Sequence, residues 1–555
     1  MNDALLIPEI LYNIFLFCDR KTNAYTARVC KLWSEESLNV LWYTVDDLKQ
    51  LLNLFGDMDH GQNKKFVYIR WPTYQAWSRF EKFYQTRIRH LGPIDEGSAE
   101  LFAEPLTQLS RIRSPGPLLP NLHSLTWLGL SGHGLAENCV MFMNDSVQTL
   151  RLISWPEADA KFESLASCIS ARMPNLSSLE LIFFIESKEF AIRDLVRNLP
   201  KLTNLVIPPF FDLSTTLTDI LNRDVDSPLS HLTILSPTMA EDRIHINDIL
   251  VELEWPAIEE LNLQIHNHGN ALKSLTFLSM YSSYNPTAQI IRASACLYLT
   301  DFTITSWEPA SAGEIHDLIS SLGQTCPRIE KVTLSFLIWR QAESLLAILG
   351  SSDAESFPGG VLTFHDLQPL LSCTNIKSFH LDTICPPSLD DADIELLAKS
   401  WPSLEYLSLV PVPGILVTNR LKELSLQSLA HIAQHCPNIC HLRIYIDAEP
   451  IPNLSHLRII PFTQLLDLGV GYSPICNPAP VAQFLAYLLS PAVSLTWGAK
   501  SCSKVIWHHV NDLFPDIEKT WGPRWERVAE FLPEMARMRI EIREEKGNLK
   551  ASVHA

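Results

Sequence analysis

At 555 residues, 46% of them hydrophobic, the chain is too long for one compact core and suits several domains or one repetitive domain. Its 62 acidic against 44 basic residues give a formal net charge of −18 with no Lys/Arg block beyond Lys64-Lys65, which excludes the concentrated basic surface that nucleic acid requires. No apolar run reaches the ~20 residues that span a bilayer, and the start lacks the basic-then-apolar pattern of a signal peptide. The reading is therefore a cytoplasmic and/or nuclear protein with no membrane partner, its 12 cysteines reduced and buried as small apolar groups.

The first predicted helix starts at Pro8, which pre-sets the opening turn, with Glu9 where the helix dipole favours an acid. Ile7, Ile10, Leu11, Ile14, Phe15 and Cys18 recur every three or four residues, which lines them along one face. A second segment is predicted from Thr22 or Asn23, either a good N-cap, with Tyr25, Val29, Leu32 and Trp33 on a stripe. Leu38, Leu41 and Trp42 add a third apolar face. Three small helices in ~45 residues cannot bury so many large side chains against one another, so something else must cover them.

The order Ile7-Pro8-Glu9-Ile10-Leu11, Ile14-Phe15, Val29-Cys30-Lys31-x-Trp33 and Leu41-Trp42 resembles an F-box. The loop Asp19-Arg20-Lys21-Thr22-Asn23 departs from the family by lacking a leucine near its end. The resemblance implies a surface for a Skp-type linker protein made of Ile7, Pro8, Ile10, Leu11, Ile14, Phe15, Val29, Cys30, Trp33, Leu41 and Trp42. Residues 46–118 read as a helical linker region, with helices expected over Asp46–Phe55 and Tyr84–Leu91.

Beyond this the chain repeats the pattern Pro-x-apolar-x-x-apolar-x-apolar. Its clearest copies start at Pro120, Pro174, Pro200, Pro256, Pro327, Pro402 and Pro437, and weaker ones centre on Leu150, Leu232, Phe302, Phe379 and Leu468. From Leu125 through Leu150, Leu179, Leu205 and Leu232 to Leu261 the separations are 25, 29, 26, 27 and 29, close to the ~20 to 29 of a leucine-rich repeat. Two later intervals of 41 and 47 hold loops such as Ser351–Gly360. Each repeat reads as a strand, a loop and a helix such as Phe190–Leu199 or Asp393–Ser400, with proline ending the helix. Stacked, the repeats bury a face that no single one buries alone, giving an α/β curved solenoid of parallel strands alternating with helices over residues 119–470. Leu429-Ala430-x-x-Ala433-x-x-Cys436-Pro437 and Leu322-x-x-x-Cys326-Pro327 resemble the cysteine-containing repeats of F-box proteins, and the whole chain is most similar to the fungal group that joins an F-box (residues 1–45) to an irregular repeat domain. Residues 471–555 then form a cap and tail: a helix over Val481–Leu489, an extended Val493–Trp497, an amphipathic Trp525–Met538, and a fraying Glu541–Ala555.

The candidates for chemistry have simpler explanations. Cys436 and Cys440, beside His435 and His441, have no second pair at matching spacing for zinc, and Cys436 falls on the repeat's own buried position. His266, His268, His508 and His509 read as surface or core histidines. Gly129-x-Ser131-Gly132-x-Gly134 breaks the spacing of a nucleophile elbow, and Asp390-Asp391-x-Asp393 lacks the downstream glycine and glutamate of a calcium loop. No catalytic residue, cofactor or metal is expected, nor any Walker sequence.

The family resemblance implies a non-catalytic substrate receptor of an SCF-type cullin-RING ubiquitin ligase, joined through the linker to a cullin, with the repeats holding a target protein. The strand positions that alternate with buried leucines are the expected target face. In the C-terminal repeats these are Tyr406, Ser408 and Val410, then His441, Arg443 and Tyr445, with Tyr406, His441, Arg443 and Tyr445 the candidate contacts. One alternative is a repeat scaffold whose first helices are only an end cap. Another is an enzyme, which would need convergent titratable groups in a pocket.

Overall fold

The computed structural model describes residues 6–554 apart from 62–64, 96–100, 130–137, 155–161, 183–188, 208–228, 235–274, 282, 295, 307–309, 337–359, 384–385, 412–421, 454–458 and 499–514. The chain divides into two units, Met1–Leu235 and Ser236–Ala555. In both, parallel strands alternate with helices, the α/β architecture of a leucine-rich-repeat solenoid. The expected copy at Pro256, with Leu261, and the histidines at 266, 268, 508 and 509 lie outside the described residues, as does most of the loop Ser351–Gly360.

The first unit opens with three helices. Helix α1 (Pro8–Leu16) has proline in its first turn, extended backbone at Ile7 and Glu9 at the positive end of the dipole. Helix α2 (Arg20–Thr26) starts earlier than the sequence suggests, because Asp19 is the cap: its carboxylate accepts the Thr22 backbone N–H at 2.7 Å, and the Thr22 hydrogen bonds hold it below the usual carboxylate range. Asn23 is instead buried, its amide donating to the Phe15 carbonyl at 2.9 Å, which ties α2 to α1. Helix α3 (Lys31–Leu41) is linked to α2 by the Thr26 and Ser37 hydroxyls, 2.7 Å apart, and to α1 by the edge-on rings of Phe15 and Trp33. Val29 sits in the turn between α2 and α3 rather than on a continuous helical stripe.

The parallel sheet of this unit starts well before residue 119. Its strands are β1 (Thr44–Val45), β4 (His90–Asp95), β5 (Ser124–Gly129), β6 (Thr149–Ser154), β7 (Ser178–Ile182), β8 (Asn204–Ile207) and β9 (His231–Ile234), with β2 (Met58–His60) and β3 (Phe66–Tyr68) forming a separate antiparallel pair. Val45, Leu91, Leu125, Leu150, Leu179, Leu205 and Leu232 are successive partners across this sheet, and all are buried. Among the described residues of 46–118 the helices include Leu48–Leu52, Tyr74–Phe83 and Ala103–Ile112. The expected helix Tyr84–Leu91 is therefore displaced. Thr73 caps the helix that precedes it, accepting the Ala76 N–H at 3.2 Å, while Leu91 is taken by the sheet. The expected helix at Phe190 runs over Glu189–Arg197.

Among the described residues of the second unit the strands are β10 (Phe277–Tyr281), β11 (Asp301–Ser306), β12 (Lys331–Phe336), β13 (Ser378–Leu381), β14 (Tyr406–Leu409), β15 (His441–Ile444), β16 (Asp467–Gly469) and β17 (Ser494–Thr496). Leu278, Phe302, Val332, Phe379, Leu407, Leu442, Leu468 and Leu495 share one register; all but Leu495 are fully or almost fully buried. Helices Ala312–Thr325 and Asp391–Ser400 begin with reciprocal capping boxes, Ser311 with Glu314 and Asp390 with Asp393. The acidic cluster at 390–393 is thus a helix start, tied to the following repeat by Lys422, which lies 2.8 Å from Asp390 and 3.1 Å from Asp393. Cys139 in the first unit and Cys296, Cys326, Cys373 and Cys436 in the second are buried. The Cys436 thiol faces the carbonyls of Ala398 and Trp401 at 3.6 Å, and burial pushes its pKa up to about 12. After β16 come helix Pro478–Leu488, β17 and a final helix, Pro515–His554, which continues through the tail expected to fray. Trp525 of this helix is buried and donates its indole N–H to the Ser473 carbonyl at 2.8 Å.

Candidate functional sites

Two surfaces gather the residues singled out from the sequence. The first is the three-helix opening, where helical period splits the apolar side chains of α1 into two stripes. Leu11 and Phe15, four apart, are 0% and 2% exposed and form the inner stripe against α3. Both were expected on the surface, and burial in their own unit removes them from it. Ile7, Ile10 and Ile14 form the outer stripe at 43%, 37% and 42% exposed, with Val29 at 56% beyond α2. Pro8 and Cys30 are exposed, and Trp33, Leu41 and Trp42 are half-buried, the Trp42 ring edge-on to Tyr84 at 5.0 Å. Phe17, 94% exposed, and Tyr25 also belong to this apolar surface, and sequence reasoning passed over Phe17. Its signal was an aromatic one residue past the end of the helix but three after Ile14, in step with the outer stripe of Ile7, Ile10 and Ile14. Lys21 on α2 and Lys31 on α3 are exposed, as is Arg28 in the turn between them.

The second surface is the face of the second unit's sheet opposite the buried leucines. Tyr406 and His441 are partners on β14 and β15, their ring centroids 6.3 Å apart, and Ser408 partners Arg443. The Arg443 guanidinium lies over the Tyr406 ring at 6.0 Å and its Nε is 3.6 Å from the Asp467 carboxylate on β16. Tyr445 is half-buried just beyond β15. Of the six positions expected on this face, Ser408 and Val410 are buried, Val410 with a positive φ of 40° and its N–H donated to the Leu381 carbonyl at 2.9 Å.

Sequence reasoning missed His380, the partner of Ser408 on β13. Its ring lies 6.2 Å from that of Tyr406, and its Nε2 is 2.6 Å from the Asp382 carboxylate. Burial opposes a charge on this imidazole, but the charge and hydrogen bond of Asp382 outweigh it and hold the pKa above the ordinary value, while Arg443 pulls the other way. The available signal was its position: His380 follows Phe379 as Ser408 follows Leu407 and Arg443 follows Leu442.

No protein-family model and no curated protein matches the chain. Among solved structures it is similar to the Rad7 and Elc1 complex of yeast at 13% identity and a TM-score of 0.34, covering 91% of this chain and 96% of that one. It is also similar to a TLR13–ssRNA13 complex, at 13% identity and a TM-score of 0.30 over 77% of this chain and 59% of that one. A third likeness is to the LRIM1/APL1C complex, at 10% identity and a TM-score of 0.25 over 84% and 68% of the two chains. Likenesses this distant carry no functional inference.

Proposed function

We propose that the chain is a non-catalytic substrate receptor of an SCF-type ubiquitin ligase, an F-box protein of the fungal repeat-bearing kind that acts in the cytoplasm and/or nucleus. In this reading α1–α3 dock on a Skp-type linker protein, which joins the chain to a cullin. The sheet face around Tyr406, His441, Arg443 and Tyr445 holds the target protein. Ubiquitin transfer is done by other subunits, and the receptor's contribution is to make that transfer effectively intramolecular.

One observation carries the proposal. Ile7, Ile10, Ile14, Phe17 and Val29 are all exposed in a three-helix unit whose sequence order follows the F-box. Large apolar side chains gathered on one surface mark an interaction site. Ile14→Asp, at an exposed position, is expected to abolish co-purification with the linker protein while the thermal unfolding profile is unchanged. Truncating an anchor there, as in Trp33→Ala, typically costs ~2 kcal/mol or more of binding. Retained linker binding by both variants overturns the reading and leaves the chain as a repeat scaffold not attached to a ligase.

A further inference from the structure

Three side chains on neighbouring strands share one register on the sheet face of the second unit: His380 on β13, Ser408 on β14 and Arg443 on β15. Each is positioned by something else. His380 is oriented by Asp382 at 2.6 Å, and Arg443 is approached on its Nε edge by Asp467 at 3.6 Å. Ser408 sits between them, fully buried, and its hydroxyl has no hydrogen-bond partner among the described residues. The Nε of Arg443 likewise makes no aligned hydrogen bond there, despite its ion pair. A buried polar atom without a partner is costly, and in native proteins it calls for an explanation.

We propose that His380, Ser408 and Arg443 form a subsite for a side-chain carboxylate, that of an Asp or Glu in the segment of target protein lying across this face. This rests on reading the face as the target-binding surface. The guanidinium is a planar fork, and with Asp467 along its Nε edge the terminal nitrogens remain to take both oxygens of an incoming carboxylate. The Ser408 hydroxyl can turn its proton to the same acceptor, and the His380 imidazole flanks it on the other side. Tyr406 lies among His380, His441 and Arg443 and supplies a ring wall on which the guanidinium already rests. A singly charged carboxylate is favoured over a phosphate because Asp382 and Asp467 stand beside the subsite, and their like charge repels a dianion more strongly.

The test uses the full chain with its histidine rings isotope-labelled, and His380 assigned from the spectrum of His380→Gln. The probes are three capped tripeptides, Ac-Ala-Glu-Ala-amide, its Gln counterpart and its phosphoserine counterpart. The Glu peptide is expected to shift the His380 ring resonance saturably, the Gln peptide at least about tenfold more weakly. Arg443→Gln is expected to remove the difference between the two, and Ser408→Ala to weaken the Glu peptide with little change in fold. Equal response to Glu and Gln, or a Glu response that survives Arg443→Gln in a folded protein, overturns the proposal. Tighter binding of the phosphoserine peptide overturns the carboxylate assignment. None of these measurements involves the linker protein, so their failure is separable from failure of the ligase reading.

Discussion

His380 shows how much one side chain can add to a repeat surface. Its pKa is raised from the ordinary 6.5 against the pull of burial, because Asp382 compensates the imidazolium. A group whose folded-state pKa is raised stabilises the fold fully below its unfolded value, and that contribution is lost as pH rises through the folded-state pKa. Wild type should therefore exceed His380→Gln in urea midpoint most clearly at and below about pH 6, with the gap closing as pH rises above the ordinary imidazole range. A gap that widens with pH would contradict the pairing with Asp382. The sequence holds the position of His380 but not its partner two residues on, since a His-x-Asp pair acquires meaning only when both side chains fall on the same face of a strand. The division of α1 is hidden for a related reason. Ile10 and Leu11 are equally apolar, and only the placement of α3 decides that Leu11 and Phe15 go inside and Ile10 and Ile14 stay out.

The strands were legible chiefly from three spaced apolar residues, a signal strengthened by a proline five positions ahead of Leu125, Leu179 and Leu205. Leu125, Leu150, Leu179, Leu205 and Leu232 stand in the register that their spacing suggests. The elements that went unread lack part of that signature. Strand β1 is two residues long, the slot before Leu278 has no proline, and β4 is broken by a register shift between Leu91 and Ile94. Gly92 lies within that shift at a φ of 109°, and a Cβ there would come within 2.1 Å of the Thr126 carbonyl oxygen on β5. Both the backbone conformation and the close approach require glycine. Gly92→Ala is expected to cost roughly 1 to 3 kcal/mol, read as a lowered denaturation midpoint. An unchanged midpoint would mean that β4 can shift away from β5 at no expense.

A stack of repeats derives its stability largely from nearest neighbours, so damage should stay regional. Leu407 occupies the buried slot between Phe379 and Leu442. Leu407→Ala should cost ~2 to 5 kcal/mol, and amide exchange should rise first in β13, β14 and β15, with β6 and β7 of the other unit nearly unaffected. Uniform acceleration through the whole chain would show that it unfolds as one cooperative block instead.

The same regional behaviour gives the sequestered sulfurs a practical meaning. Cys139, Cys296, Cys326, Cys373 and Cys436 are enclosed at different stations along the repeats, while Cys30 and Cys476 face solvent. Only the thiolate reacts with an alkylating reagent, and an enclosed thiol reacts only after its surroundings open. The native chain thus carries its own clocks of local opening. A timed pulse of iodoacetamide followed by mass mapping of the modified cysteines would time the opening around Cys139, Cys436 and the neighbouring pair Cys296 and Cys326, with no cysteine engineered and Cys30 and Cys476 marking the start.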